Sequence, residues 1–272
     1  MKILILGSTG MLGFGVVKSL QERGVEVHGT FQKEKKTLCE DLKLDKSICF
    51  DARDSFELDL SGYDCVVNCI GIINRTAEKN KENTIFINSV FPHKASHVCK
   101  TKQIPFIHIT TDCVFNGKSG WYDEESCHTA LDIYGRSKSL GEPSDCMVMR
   151  TSIIGKEIHT YSSLLEWVKS KSGQTIQGYT NHFWNGITTL QYGDIVHEIL
   201  VNNFYEEKLF HIFSPQEVSK FTLVKMIADK FKIDIKINPH QAPISVNRTL
   251  KSKKDLVSKL TIPTISEQIN KL

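Results

Sequence analysis

KILILGSTGMLG, residues 2–13, carries the reading of the fold. An unbroken aliphatic run ending on glycine is the signature of a strand covered on both faces, as in a parallel sheet. Gly7-Ser-Thr-Gly10-Met-Leu-Gly13 then leads straight into an amphipathic pattern over Met11–Arg23. Glycines at these positions permit a tight turn and a close approach of backbone to a pyrophosphate. The helix N-terminus behind them supplies free N–H groups and partial positive charge. The spacing is GxxGxxG rather than GxGxxG, and its place after a buried strand at residue 7 gives it its weight.

Working outward, strand-like runs recur at Glu26–Phe31, Ser47–Phe50, Cys65–Ile70, Pro105–Thr110 and Cys146–Arg150. Helical periodicity fills most of the gaps, notably over Asn83–Lys102 and Ile133–Glu142. Strands spaced by helices predict right-handed crossovers and an α/β, Rossmann-type doubly wound parallel sheet. Beyond Arg150 the pattern loosens. Helices are predicted over Ser162–Lys171, Leu190–Asn202 and Lys220–Phe231, a strand over Leu209–Phe213, and a Gly- and aromatic-rich stretch over 173–186. No linker divides the chain. The expected organisation is a dinucleotide domain over 1–155, with a returning segment near 186–204. A small substrate lobe over 156–185 and 205–272 interleaves with it.

Composition excludes several classes. With 272 residues, 40% hydrophobic and 24% charged, the chain has the make-up of a globular enzyme with one large core. A net charge of +3 demands neither nucleic acid nor membrane as partner. Eight cysteines without a CxxC pair read as small buried hydrophobes in a reduced compartment. No apolar run reaches membrane-spanning length and no signal-peptide pattern opens the chain, so a cytoplasmic location is expected. His93 and His97 stand four apart, but without HExxH no metal is expected there. A homodimer is the assembly left open.

Cofactor choice is read at the end of the second strand. Thr30, Gln32 and Lys33, then Lys35 and Lys36, stand where an acidic residue would take the NAD ribose, so NADP is favoured over NAD. Asp51 follows the third strand, where it would accept from an adenine amino group. Asn68-Cys69-Ile70-Gly71 ends the fourth at the sheet edge over which a dinucleotide would lie.

The chemistry is read from ITTDCVFNG, residues 109–117, and YGRSK, residues 134–138. Tyr134 and Lys138 at i and i+4 share a helix face, and Thr111 offers a hydroxyl at a strand end. A phenol, an ammonium and a hydroxyl form a proton-handling set. TTDCVFNG (110–117), GWYDE (120–124), YGRSKSLGE (134–142) and MRTSIIG (149–155) together resemble the extended short-chain dehydrogenase/reductase superfamily, in its dTDP-4-dehydrorhamnose reductase branch. The resemblance implies Thr111, Tyr134 and Lys138 as catalytic residues. It implies a cofactor turn over Gly7, Thr9, Gly10, Met11, Leu12 and Gly13, with Tyr134 and Lys138 also on the nicotinamide side. Hydride would pass to the keto group of a sugar nucleotide while Tyr134 protonates its oxygen.

Cys113 stands where that branch typically carries tyrosine, and GYTNHFWNGITT (178–189) departs from its substrate loop. Substrate contacts are expected from Thr111, Asp112, Cys113, Val114, Phe115, Arg150, Trp184, Asn185 and Arg248. An epimerase or epimerase-reductase on a GDP- or UDP-sugar is the rival enzyme, with Cys113, Cys127 or His182 as the extra acid/base. A non-catalytic subunit, like the regulatory subunit of methionine adenosyltransferase, is the rival of another class.

Overall fold

The computed structural model describes residues 1–54, 56–159 and 161–272. Six strands follow one another in the first part of the chain: β1 (Lys2–Leu6), β2 (Glu26–Phe31), β3 (Lys46–Cys49), β4 (Cys65–Asn68), β5 (Phe106–Thr111) and β6 (Met147–Thr151). With the later strand Leu209–His211 they form a seven-stranded sheet in the spatial order Leu209–His211, β6, β5, β4, β1, β2, β3. Every pairing is parallel.

Alternation sorts the strand side chains onto two faces. Ile3, Ile5, Val27, Val67, Ile107 and Met149 pack beneath helices Met11–Glu22 and Thr189–Val201. Leu4, Leu6, Val66, Phe106 and Val148 meet Ile87, Phe91, Ala95 and Cys99 on the other face. Both faces are covered, as the continuous apolar runs require. Strand order reverses beside β1, between β2 and β4. The crevice outside the carboxyl ends at that point is where such sheets take ligands.

The segment predicted as one helix over Asn83–Lys102 is three. An α-turn (Lys81–Ile85) runs into a π-helical turn (Phe86–Val90) and then helix Phe91–Thr101, with Pro92 in its first turn. Periodicity does not register one extra residue in a turn, so the sequence pattern reads straight through it.

The small lobe has its own core of Ile154, Leu165, Val168, Trp184, Val218, Leu223, Ile227, Ile265 and Ile269. Short pairings knit it together: Lys236–His240 lies parallel to Thr175–Tyr179, and His182–Trp184 sits between Val218–Ser219 and Val246–Asn247. The stretch 205–272, assigned to the lobe from sequence, divides. Leu209–His211 is the seventh strand of the main sheet, and Leu256 and Leu260 pack in the main core. Among the described residues no helix is long and apolar enough to cross a membrane.

Candidate active site

The turn after β1 is held from behind. The Thr30 hydroxyl accepts from the Gly7 N–H at 2.8 Å, and the Ser8 N–H and hydroxyl both donate to the Thr30 carbonyl. Thr30 is thereby buried, fixing the turn rather than facing a ligand. Gly7 has φ +78°, and a Cβ on Gly13 would stand 2.8 Å from the Ser8 Cα, so the turn closes only on glycine. Gly10 caps helix Met11–Glu22 without a side chain, and no acidic residue occupies the first turn. Among the described residues the leading N–H groups have no side-chain partner, which leaves them able to take a pyrophosphate.

The far end of this crevice holds Gln32, Asp51 and one residue that sequence reasoning missed. Arg53 grips the Asp51 carboxylate through both Nε and Nη2, and the Gln32 amide reaches the same carboxylate at 3.4 Å. These bonds pull the Asp51 carboxyl down to about 2. Lys33 lies beside them in a short 3₁₀ turn (Lys33–Lys35).

At the end of β4, Asn68 is fully buried. Its Oδ1 accepts from the Ile70 N–H and its amide bonds His108 at 3.0 Å, so it shapes the Cys69–Gly71 edge from within. Cys69 and Ile70 are partly exposed, and Gly71 is exposed. A Cβ on Gly71 would lie 3.8 Å from the Lys138 Nζ, which sets the proton-handling group beside this edge.

Lys138 lies on helix Ile133–Leu140, capped by Asp132, whose side chain accepts from the Gly135 N–H. Its Nζ donates to the Ile109 carbonyl at 2.8 Å, inside β5. Burial lowers its pKa to about 8, while the nearby Glu142 carboxylate opposes that drop. Thr111 ends β5; its hydroxyl caps the turn Asp112–Val114 by accepting from the Cys113 N–H at 3.1 Å. The Thr111 hydroxyl also donates to the Asp112 carboxylate at 3.2 Å; burial pushes the nearby Tyr134 phenol up, and the Thr111 side chain draws it back. Thr111 and Tyr134 are therefore neighbours at the end of β5, and Lys138, one helical turn after Tyr134, lies against β5 and beside the edge of β4. Asp112 and Cys113 join them. Burial raises the Asp112 carboxyl and pushes the Cys113 thiol up to about 12.

Asn88 is a second residue the sequence did not disclose. From the π-helical turn, its side chain accepts from the Ile72 N–H at 2.8 Å. It donates to the Ile72 carbonyl at 2.9 Å and the Ser137 hydroxyl at 3.2 Å. It clamps the segment after β4 to the helix of Tyr134. The only signal was a polar residue on a helix face that should be apolar.

Five residues expected at the substrate have their side chains elsewhere. Val114 and Phe115 are fully buried with Tyr122 and Leu250. Arg150 is 1% exposed. It pairs with Glu142 and donates to His211 and His128, each at 2.7 Å. Since arginine only donates, both imidazoles accept through Nε2 and are neutral; burial lowers the pKa of each, that of His211 to about 4. Trp184 donates to the Ser152 hydroxyl at 2.8 Å, and Asn185 exchanges bonds with the Leu250 backbone. Buried polar groups must be satisfied internally, and these side chains find their partners inside the protein. Arg248 is half-buried at its rim. His93 donates to the Leu140 carbonyl, and among the described residues no cluster of three metal-ligating side chains exists.

A family model described as RmlD substrate binding domain matches residues 1–268. A probable low-salt glycan biosynthesis reductase, Agl14, of Haloferax volcanii is 32% identical over 195 residues, 66% of this chain and 64% of that protein. A dTDP-4-dehydrorhamnose reductase of Mycolicibacterium smegmatis is 27% identical over 56% of this chain and 45% of its own length. The matched stretches thus span less than two thirds of these relatives. The crystal structure of a dTDP-4-dehydrorhamnose reductase from Bacillus anthracis in complex with NADP has the same fold. Its TM-score is 0.75 at 16% identity, over 99% of this chain and 97% of that one.

Proposed function

The chain belongs to the RmlD substrate binding domain family, and from that premise we propose that it reduces the keto group of a nucleotide-linked deoxy-keto-sugar with NADPH. The observation that carries the reading is the convergence of Thr111, Tyr134 and Lys138 beside the glycine turn and the β4 edge. The names of the two curated relatives, a glycan biosynthesis reductase and a dTDP-sugar reductase, support it. All eight cysteines are free, in keeping with a reducing compartment such as the cytoplasm.

The bound nicotinamide supplies the hydride. The turn over Gly7–Gly13 would hold the pyrophosphate through its backbone N–H groups, those of the buried Thr9 and Leu12 and of Met11 among them. Asp51 would accept from the adenine amino group, and Gln32, Lys33 and Arg53 would be the residues to hold the 2′-phosphate. Thr111 holds the substrate carbonyl oxygen by its hydroxyl. Tyr134, protonated across the neutral range, delivers its proton to that oxygen. The protonated Lys138, anchored on the Ile109 carbonyl, stabilises the phenolate left behind and orients the ribose.

The test is NADPH oxidation against a panel of 4-keto sugar nucleotides carrying dTDP, UDP and GDP. Stoichiometric oxidation with one of them is the expected result. Isomerisation of a sugar nucleotide with no net cofactor consumption would overturn the reductase reading in favour of an epimerase.

A further inference from the structure

Helix Ile133–Leu140 carries Tyr134 and Lys138, and it is held from two sides. On one, the Ser89 hydroxyl donates to the Ser137 carbonyl at 2.7 Å and His93 donates to the Leu140 carbonyl at 2.8 Å. An imidazole donates to a carbonyl whether or not it carries a second proton, so this side is indifferent to pH. On the other side, Arg150 fixes Glu142, two residues past the helix, and His128 joins Arg150 to the helix itself. The His128 Nδ1 lies 2.5 Å from the Ser139 hydroxyl, and its Nε2 lies 2.7 Å from an Arg150 Nη2. Arginine only donates, so Nε2 is the bare nitrogen and Nδ1 carries the hydrogen that Ser139 accepts. Only the neutral ring, in this tautomer, completes the chain from Arg150 to Ser139.

A proton on Nε2 would set a donor against a donor, with an imidazolium 2.7 Å from a guanidinium. That contact cannot persist. The charged groups facing the ring are Arg150 from β6 and Glu142 from the segment after the helix, whose Oε2 stands 3.7 Å from Nε2. The Ser139 hydroxyl and the edge-on Phe115 ring are its neutral neighbours. Protonated His128 is therefore driven off Arg150 and toward the carboxylate that Arg150 holds, which strains or breaks its bond to Ser139. His211, on the far side of Arg150, is fully buried, whereas the His128 side chain is 30% exposed and open to solvent protons. Burial lowers the His128 pKa, Glu142 raises it and Arg150 lowers it again, and the balance is downward. The ring is thus neutral at neutral pH and takes its proton below the ordinary imidazole value of about 6.5.

We infer that neutral His128 is a positioning residue for the helix of Tyr134 and Lys138, holding its last turn at Ser139 against Arg150, and that a proton on the ring releases that turn. Lys138 directly precedes Ser139, so the release is felt at the Nζ anchored on the Ile109 carbonyl. For its kinetic consequence the inference rests on the reductase reading above. Tyr134 and Lys138 both keep their working, protonated forms in acid, so neither produces an acid limb in kcat. The other group able to titrate there is Asp112, whose carboxyl burial raises.

The experiment follows kcat at saturating NADPH and keto-sugar nucleotide from about pH 8 to about pH 5, beside hydrogen exchange of the 133–140 amides at both ends of that range. In the wild type, kcat should fall by about 10-fold on acidification, and the protection factors of the helix amides by a similar factor. His128→Gln offers Oε1 to Arg150 and an amide N–H to Ser139 without titrating. Its kcat at the alkaline end should lie within a few-fold of wild type, and both acid effects should vanish. Ser139→Ala cuts the ring from the helix and should likewise make protection independent of pH. Persistence of either acid effect in His128→Gln, or a wild type that shows neither, would overturn the role; a persistent limb would pass to Asp112. Should His128→Gln fail to fold, Ser139→Ala is read against the same outcomes. If no keto-sugar nucleotide is turned over, the reductase reading falls, and the exchange measurement alone decides on His128.

Discussion

The two sides of the cleft are built on different terms. On the sheet side, position comes from backbone: parallel register fixes the ends of β1, β4 and β5, and Gly7, Gly71 and Thr111 stand where those strands stop. On the lobe side, position comes from long side chains on two- and three-residue strands, with Lys220 draped over Trp184 and Arg248 tethered to a carbonyl. A register is shared by every residue of a strand, so the chemistry is over-determined. A rim of single side chains can change one residue at a time.

The sharpest way to break this contrast is Tyr134→Phe. Turnover should fall by about 10²- to 10⁴-fold, the usual contribution of a proton donor, with NADPH affinity within a few-fold of wild type. Single-turnover NADPH oxidation with fluorescence titration checks both, and an unchanged rate would strip the phenol of its role. Arg150→Met comes next. It leaves Glu142 buried without its partner and two imidazoles without their donor, so a loss of about 3–5 kcal/mol is expected. Calorimetry should register this as a drop in Tm on the order of 10 °C.

A milder effect is expected inside the lobe. Ser152→Ala orphans the Trp184 indole N–H and should cost about 1–3 kcal/mol in chemical denaturation while kcat stays put. A fall in kcat would mean that the indole serves the reaction after all. The smallest effect concerns pH. Lys138 is charged below about 8 and neutral above, so kcat/KM should decline as pH rises through that value. Glu142 raises that pKa, so Glu142→Gln should move the alkaline limb to lower pH by less than about one unit. A limb that stays in place would uncouple Lys138 from the decline.

The same contrast governs what the sequence disclosed. Local pattern reports regular backbone, so the strands, the glycine turn and the Tyr134–Lys138 pair were legible as written. Trp184, Asn185 and Arg150 were misplaced because residue type says nothing about which way a side chain turns. Their bonds run to Ser152, Leu250, Glu142 and His211, partners distant in sequence or chosen by strand pairing. Arg53 escaped notice because its bond to Asp51 is a local event in a loop. Asn88 escaped because a π-turn leaves no periodic trace. Lys220 read as an ordinary helix start; only the antiparallel pairing at Val218 carries it over the indole.

The chain crosses between its two cores repeatedly: Ile154 to Trp184 in the lobe, Tyr192 to Phe210 in the main body, Val218 to Ala228 in the lobe, Leu256 and Leu260 back, and Ile265 and Ile269 out again. Such stitching ties the fates of both cores together. Heat should melt them in one cooperative transition, and the lobe cannot be excised as a cassette and exchanged for another. On the reading proposed above, a new substrate preference would arise by point changes at the rim, made while the whole protein stays folded.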